Sequence, residues 1–157
     1  MTNQPSRADL DTTRCFGTGS PIYEAYHDDE WGVPIRDDRH LFELLILEGA
    51  QAGLSWETIL KRRANYRLAF DNFEIEKVAK YGESKIAELL QDEGIIRNKL
   101  KVNAAVKNAN VALDIQKKHN SLNAYFWSFV LDSKPLQPDF ASMNDVPAVA
   151  TPESVAM

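Results

Sequence analysis

Apolar residues in this 157-residue chain recur three and four apart, and no stretch alternates polar and apolar for long. That spacing stacks side chains on one face of a helix, whereas a half-buried strand needs period two. The chain is therefore expected to be all-α. Its punctuation predicts many short helices rather than a few long ones. Asp37 or Asp38 can cap a helix running to about residue 52, where Gly53 breaks it. Ser55 can cap the next, over 56–70, with Glu57 in its first turn, where the helix dipole favours an anion. Short helices are expected over 74–80 and 85–91, and Gly94 reads as a stop. A longer helix over 97–118 would turn Leu100, Ala104, Val111 and Ile115 inward, and 122–131 would form one more, aromatic on several sides. From Asp132 the pattern dissolves into proline-bearing chain. Thr151-Pro-Glu-Ser then announces a helix just before Met157.

Length and composition fit one ordinary domain with a real core: 44% of residues are hydrophobic and 26% charged. Residues 1–13 are polar, lack the apolar core of a signal peptide, and read as a disordered lead-in to a single domain over 14–157. No apolar run approaches the roughly 20 residues needed to span a bilayer. A single cysteine, Cys15, excludes an internal disulfide. Together these features suit a cytoplasmic, monomeric protein with no membrane partner. The net charge of −5 argues mildly against nucleic acid, whose affinity comes from cations on phosphates. Two basic clusters soften that argument: Lys61, Arg62, Arg63 and Arg67, then Arg97, Lys99, Lys101 and Lys107. Solvated helix surface is the simpler reading of either. No GxGxxG, P-loop, HExxH or GxSxG string occurs, so nothing points to a nucleotide-cofactor enzyme or a serine hydrolase.

Within the first strong helix, Glu48 follows Leu41, Leu44 and Leu45 at helical spacing, in a run that is apolar almost all round. A carboxylate on a buried face is costly unless something pairs with it. An arginine or a backbone cap could do so, and so could a ligand. Tyr23, Tyr26, Trp31 and Trp56 bracket Glu48 in sequence. Aromatic faces around one acid suit a flat, positively charged ligand, through stacking, cation–π attraction and hydrogen bonds to the carboxylate. Taken singly, each aromatic is better explained as core. Cys15 and His27 are competent zinc ligands, but a structural site needs four, and neither His40 nor His119 has ligand-like spacing to them.

These residues carry a resemblance. Arg14-Cys15, the string Tyr23-Glu-Ala-Tyr26-His27-Asp-Asp-Glu30-Trp31-Gly32-Val33-Pro34, Leu47-Glu48-Gly49 and Gln51-Ala52-Gly53-Leu54-Ser55-Trp56 resemble the DNA-3-methyladenine glycosylase I family. So do Ile59-Leu-Lys-Arg-Arg63 with Tyr66, Gly94-Ile95-Ile96-Arg97-Asn98-Lys99, and Phe126-Trp127-Ser128-Phe129, so the likeness runs from about residue 13 to the end. It implies a compact multi-helix domain of the helix-hairpin-helix DNA glycosylase type. It also implies base-excision repair: hydrolysis of the N-glycosidic bond of 3-methyladenine in alkylated double-stranded DNA. Glu48 would then contact the base edge and stabilise the developing sugar cation, with Trp56, Tyr26, Trp31 and Tyr23 lining the pocket. A catalytic aspartate of the superfamily has no counterpart in the family, which suits a cationic base that is already a good leaving group.

The resemblance further implies a structural zinc held by residues matching Cys15 and His27, with a histidine and a cysteine near the family's C-terminus. Those two, and a glycine-bearing hairpin that docks on the DNA backbone, would fall beyond Met157. The domain is therefore expected to be C-terminally incomplete, with zinc weak or absent. A non-catalytic remnant that binds a purine cation is the alternative, and a helical interaction protein with a plain aromatic core is a third.

Overall fold

Four of the helices begin on a side chain that accepts from the free N–H groups of the first turn, as expected at Asp37 and Ser55. Asp37 accepts from His40 N, Ser55 from Thr58 N, Asn98 from Leu100 N and Lys101 N, and Ser121 from Ala124 N. The structure, a computed structural model, describes residues 14, 17, 19–130 and 152–157. The expected lead-in over 1–13, the proline-bearing stretch after Leu131 and Cys15 lie outside the described residues.

The helices are α1 (Pro21–Asp29), α2 (Asp38–Gln51), α3 (Trp56–Ala69), α4 (Ile75–Val78), α5 (Glu83–Leu89), α6 (Lys99–His119), α7 (Leu122–Trp127) and α8 (Pro152–Ala156), with a short 3-10 turn at Asp71–Phe73. No strand occurs among the described residues, so the all-α expectation holds. Helix α1 was not foreseen. Pro21 opens it, its fixed φ suiting the first helical position, but its face carries more tyrosine and acid than aliphatic residues and gives little periodic signal. Helix α7 stops at Trp127 rather than near residue 131.

Helix α2 packs on α3, α6 and α7, and α4 packs on α6. The side chains most fully removed from water are Phe42 and Leu47 from α2, Ile59 from α3, Phe70, Phe73 and Leu122. Each such burial contributes about 1.5–3 kcal/mol. Among the described residues, no helix is long and apolar enough to cross a membrane.

Two expectations about helix faces are corrected. In α2 the inward residues are Phe42, Glu43, Ile46, Leu47 and Ala50, while Leu45 and Glu48 are exposed. The buried carboxylate is thus Glu43, 1% exposed, and not Glu48. In α6 the inward residues are Val102, Ala105, Ala109 and Ala112. Leu100 is 81% and Val111 47% exposed, and Ala104 faces water as well. Small side chains on the inward stripe let α6 approach its neighbours closely, and periodicity weighted by side-chain size overlooks such a stripe.

Candidate functional site

Glu43 has the partner that burial of a charge demands. Arg67 of α3 donates from Nε to its Oε1 at 2.8 Å, and Arg67 NH2 stands 2.7 Å from the same oxygen in an ion pair. Glu43 therefore belongs to the framework, and the pairing with an arginine that the sequence allowed for Glu48 is made five residues earlier.

Glu48 is left on the last turn of α2 with no hydrogen bond or ion pair among the described residues. The residue as a whole is exposed, yet the protein around its carboxyl displaces enough water to push its pKa up. Gly53, at φ +79°, then turns the chain into Ser55 and α3. Lys101 of α6 fastens this turn: its Nζ donates to Ala50 O at 2.8 Å and Ala52 O at 2.7 Å, filling carbonyls left open at the end of α2. The turn delivers Trp56 as the first residue of α3, 8% exposed.

Tyr26 of α1 meets Trp56 edge to face, with ring centroids 5.5 Å apart at 61°. Tyr23 lies beside Tyr26 at 6.5 Å. Burial, and next the charge of Glu48, push the Tyr26 phenol up, while the Trp56 N–H and the Arg63 charge oppose them. Tyr26 thus remains a hydroxyl donor at neutral pH. Trp56 Nε1 is near enough to act on Tyr26, but it falls outside hydrogen-bond geometry and is buried without a partner among the described residues. Such an orphan donor costs about 1–3 kcal/mol until an acceptor reaches it.

Tyr26, Trp56 and Glu48 therefore come together, with Tyr23 beside them. Trp31 does not join the Tyr26–Trp56 ring contact. It stacks on His27 at 5.5 Å and 21°, and is 49% exposed. His27 Nδ1 lies 3.0 Å from Asp28 Oδ1. Asp28 is held by the Arg14 guanidinium at 2.6 Å, and these contacts, Arg14 first and then His27, bring its carboxyl down to about 2. Among the described residues no three His, Cys, Asp or Glu side chains gather as a metal site. The described residues alone do not make up the zinc site that the resemblance implies.

The basic cluster of α3 is largely consumed internally. Lys61 pairs with Glu57, Arg62 donates to Glu93 O, Arg63 pairs with Glu30, and Arg67 pairs with Glu43. A cavity of about 440 Å³ lies elsewhere, between Gly32–Ile35 and α7, walled by Val33, Pro34, Ile35, Phe126 and Trp127. None of Tyr26, Glu48 or Trp56 lines it and no charged side chain does among the described residues, so the aromatic–acid cluster is the better candidate for chemistry. Sequence reasoning missed Glu30, Glu43, Arg63 and Arg67 as parts of the scaffold under that cluster, because their partners are far away along the chain.

A family model described as methyladenine glycosylase matches residues 16–157. The chain is 43% identical over 127 residues to DNA-3-methyladenine glycosylase 1 of Escherichia coli (strain K12), covering 81% of this chain and 67% of that protein. It is 44% identical over 137 residues to a DNA-3-methyladenine glycosylase of Haemophilus influenzae, covering 87% and 74%. A solved structure of 3-methyladenine DNA glycosylase I from Staphylococcus aureus, described as showing the basis of 3-methyladenine recognition, superposes with a TM-score of 0.82 at 37% identity, covering 88% of this chain and 73% of that one.

Proposed function

The chain belongs to the methyladenine glycosylase family, and on that premise we propose that it excises 3-methyladenine from alkylated double-stranded DNA by hydrolysing the N-glycosidic bond. The observation that carries this reading is a carboxylate, Glu48, unpaired among the described residues and beside an edge-to-face Tyr26–Trp56 pair. A base must leave the stack to reach such a site, and damage lowers the cost of extruding it.

The physical logic favours a cation. 3-Methyladenine in DNA carries a positive charge, so aromatic faces attract it and an ionised Glu48 balances it, which neutral adenine cannot exploit. Trp56 Nε1 and the Tyr26 hydroxyl offer donors for the polar edge of the base. In the reaction the bond from the sugar carbon to the base nitrogen breaks, and its electron pair returns to the base and cancels the positive charge. The charge then moves to the sugar, where Glu48 stabilises it. A water oxygen adds to that carbon and its proton passes to solvent. The leaving group needs no protonation, which fits a site with a single acid. Activation of the water by Glu48 is a lesser contribution.

The setting we propose is a cytoplasmic monomer. Cys15 and His27 supply half of a tetrahedral donor set, so we also propose that zinc binds this chain weakly. The deciding assay is excision of 3-methyladenine from alkylated duplex DNA by the parent and by Glu48→Gln. Loss of product release with an unchanged circular dichroism spectrum supports the proposal. Equal activity removes Glu48 from it, and an inactive parent that still binds free 3-methyladenine would favour the binding-remnant alternative.

A further inference from the structure

Helix α1 brings Tyr23 and Tyr26 to the site, yet none of its residues is buried. Its packing on the core is limited to the partly buried Tyr23 and Tyr26, so hydrophobic contact alone fixes its position loosely. Its polar ends are tied to α3 as well. At its start, Ser20 occupies the N-cap position but makes no cap; its hydroxyl donates to Glu57 Oε1 at 2.6 Å. At its end, Glu30 receives a two-pronged arginine: Arg63 NH1 donates to Oε2 at 2.6 Å and NH2 to Oε1 at 2.7 Å. A planar fork on a planar carboxylate fixes orientation as well as distance, which a single ammonium contact does not.

The pair connects directly to the aromatic contact. Glu30 N donates to Tyr26 O at 3.0 Å, so the residue gripped by Arg63 closes the turn that carries Tyr26. Arg63 lies two helical turns beyond Trp56 on α3 and close enough to Tyr26 for its guanidinium charge to act on the phenol. Tyr26 and Trp56 thus sit on two helices whose relative placement is set by Arg63–Glu30, with Ser20–Glu57 at the other end.

We propose that Arg63 and Glu30 are positioning residues for the base site: their ion pair holds Tyr26 edge-on to Trp56 and so pre-forms the stacking surface. The inference rests on the reading of Tyr26, Trp56 and Glu48 as a 3-methyladenine site, but its structural half can be tested without ligand. Misplacing a stacking ring by a fraction of a ring width weakens binding through geometry, not through loss of a contact with the base.

The experiment compares the full chain with Arg63→Gln, the swapped pair Glu30→Arg/Arg63→Glu, and a control at a remote exposed pair, Lys77→Gln. Two quantities are read: the ring-to-ring nuclear Overhauser effect between Tyr26 and Trp56 in the ligand-free protein, and the affinity for free 3-methyladenine by tryptophan fluorescence. Arg63→Gln should lose the ring contact and weaken binding about tenfold while the far-ultraviolet spectrum is kept. The swapped pair should recover most of both, and Lys77→Gln should change neither. A ring contact that survives in Arg63→Gln, or a swap that recovers nothing, overturns the positioning role. A parent that keeps the ring contact but does not bind 3-methyladenine overturns the functional reading instead.

Discussion

Arg67 and Glu43 form an ion pair between α3 and α2 in which the carboxylate is 1% exposed and the guanidinium reaches solvent. Arg39, one turn earlier on α2, stands 4.0 Å from the same carboxylate. Removing Arg67 would leave a buried charge with weaker neighbours, Arg39 and the charge of Arg63. Arg67→Ala should therefore destabilise the protein by about 2–3 kcal/mol, below the full cost of breaking a buried pair because Arg67 is itself solvated. Urea unfolding measures this. Glu43→Gln, which removes the charge that needs a partner, should cost less.

The acidity of Glu48 sets a pH dependence. Its folded-state pKa lies above the usual glutamate value of about 4.3. Recognition of a cationic base needs the ionised form, so excision should fall as pH drops through that raised value, earlier than for an ordinary glutamate. Stability runs the other way. A raised carboxyl pKa means that the ionised form costs stability above the folded pKa, and this cost fades as pH falls to the unfolded value. Glu48→Gln should lack excision across the whole pH range in which the parent shows its acid limb, and should melt no lower than the parent at neutral pH. A melting temperature well below the parent's would mean that the carboxylate has a structural partner.

Trp56 has two separable roles. Trp56→Phe keeps most of the packing against Tyr26 and removes the orphaned N–H. It should retain the fold and weaken 3-methyladenine binding several-fold if that N–H finds its acceptor in the base. Trp56→Ala should also destabilise by about 3–5 kcal/mol, because a large buried side chain leaves a cavity. Calorimetric titration beside thermal melting separates the two effects.

The inward face of α6 is tested by a pair of substitutions. Leu100→Ala, at an 81% exposed position, should change stability by less than about 0.5 kcal/mol. Ala109→Leu, at a fully buried position, should cost about 1–3 kcal/mol by overpacking. The reverse ranking in urea would restore the face drawn from periodicity alone.

For zinc, the expected result after dialysis against metal-free buffer is well below one equivalent by atomic absorption, with no change in circular dichroism. Near-stoichiometric zinc would show that this chain supplies donors beyond Cys15 and His27.

Much of this architecture is written within a few residues of where it acts. Asp37, Ser55, Asn98 and Ser121 cap the helices that they precede, because a cap needs only a side-chain oxygen and the next few N–H groups. The helical class follows from spacing. Tyr26, Glu48 and Trp56 stood out through residue type and neighbourhood, and the fold does bring them together. The choice of face for α2 did not have this character. With apolar residues almost all round, the helix could have buried the stripe of Glu48 or that of Glu43, and local periodicity is the same for both. The choice rests on Arg67, 24 residues from Glu43. Likewise, α1 is placed by Arg63, 33 residues from Glu30. Charge pairing at such separations is decided only when helices meet, since burying a carboxylate is tolerable only where a distant cation arrives with it. The sequence by itself thus determined the helical class, most of the helices, the caps at Asp37 and Ser55, and the candidate residues Tyr26, Glu48 and Trp56. The tertiary structure decided which acid is sealed into the scaffold and which is left free to meet a ligand.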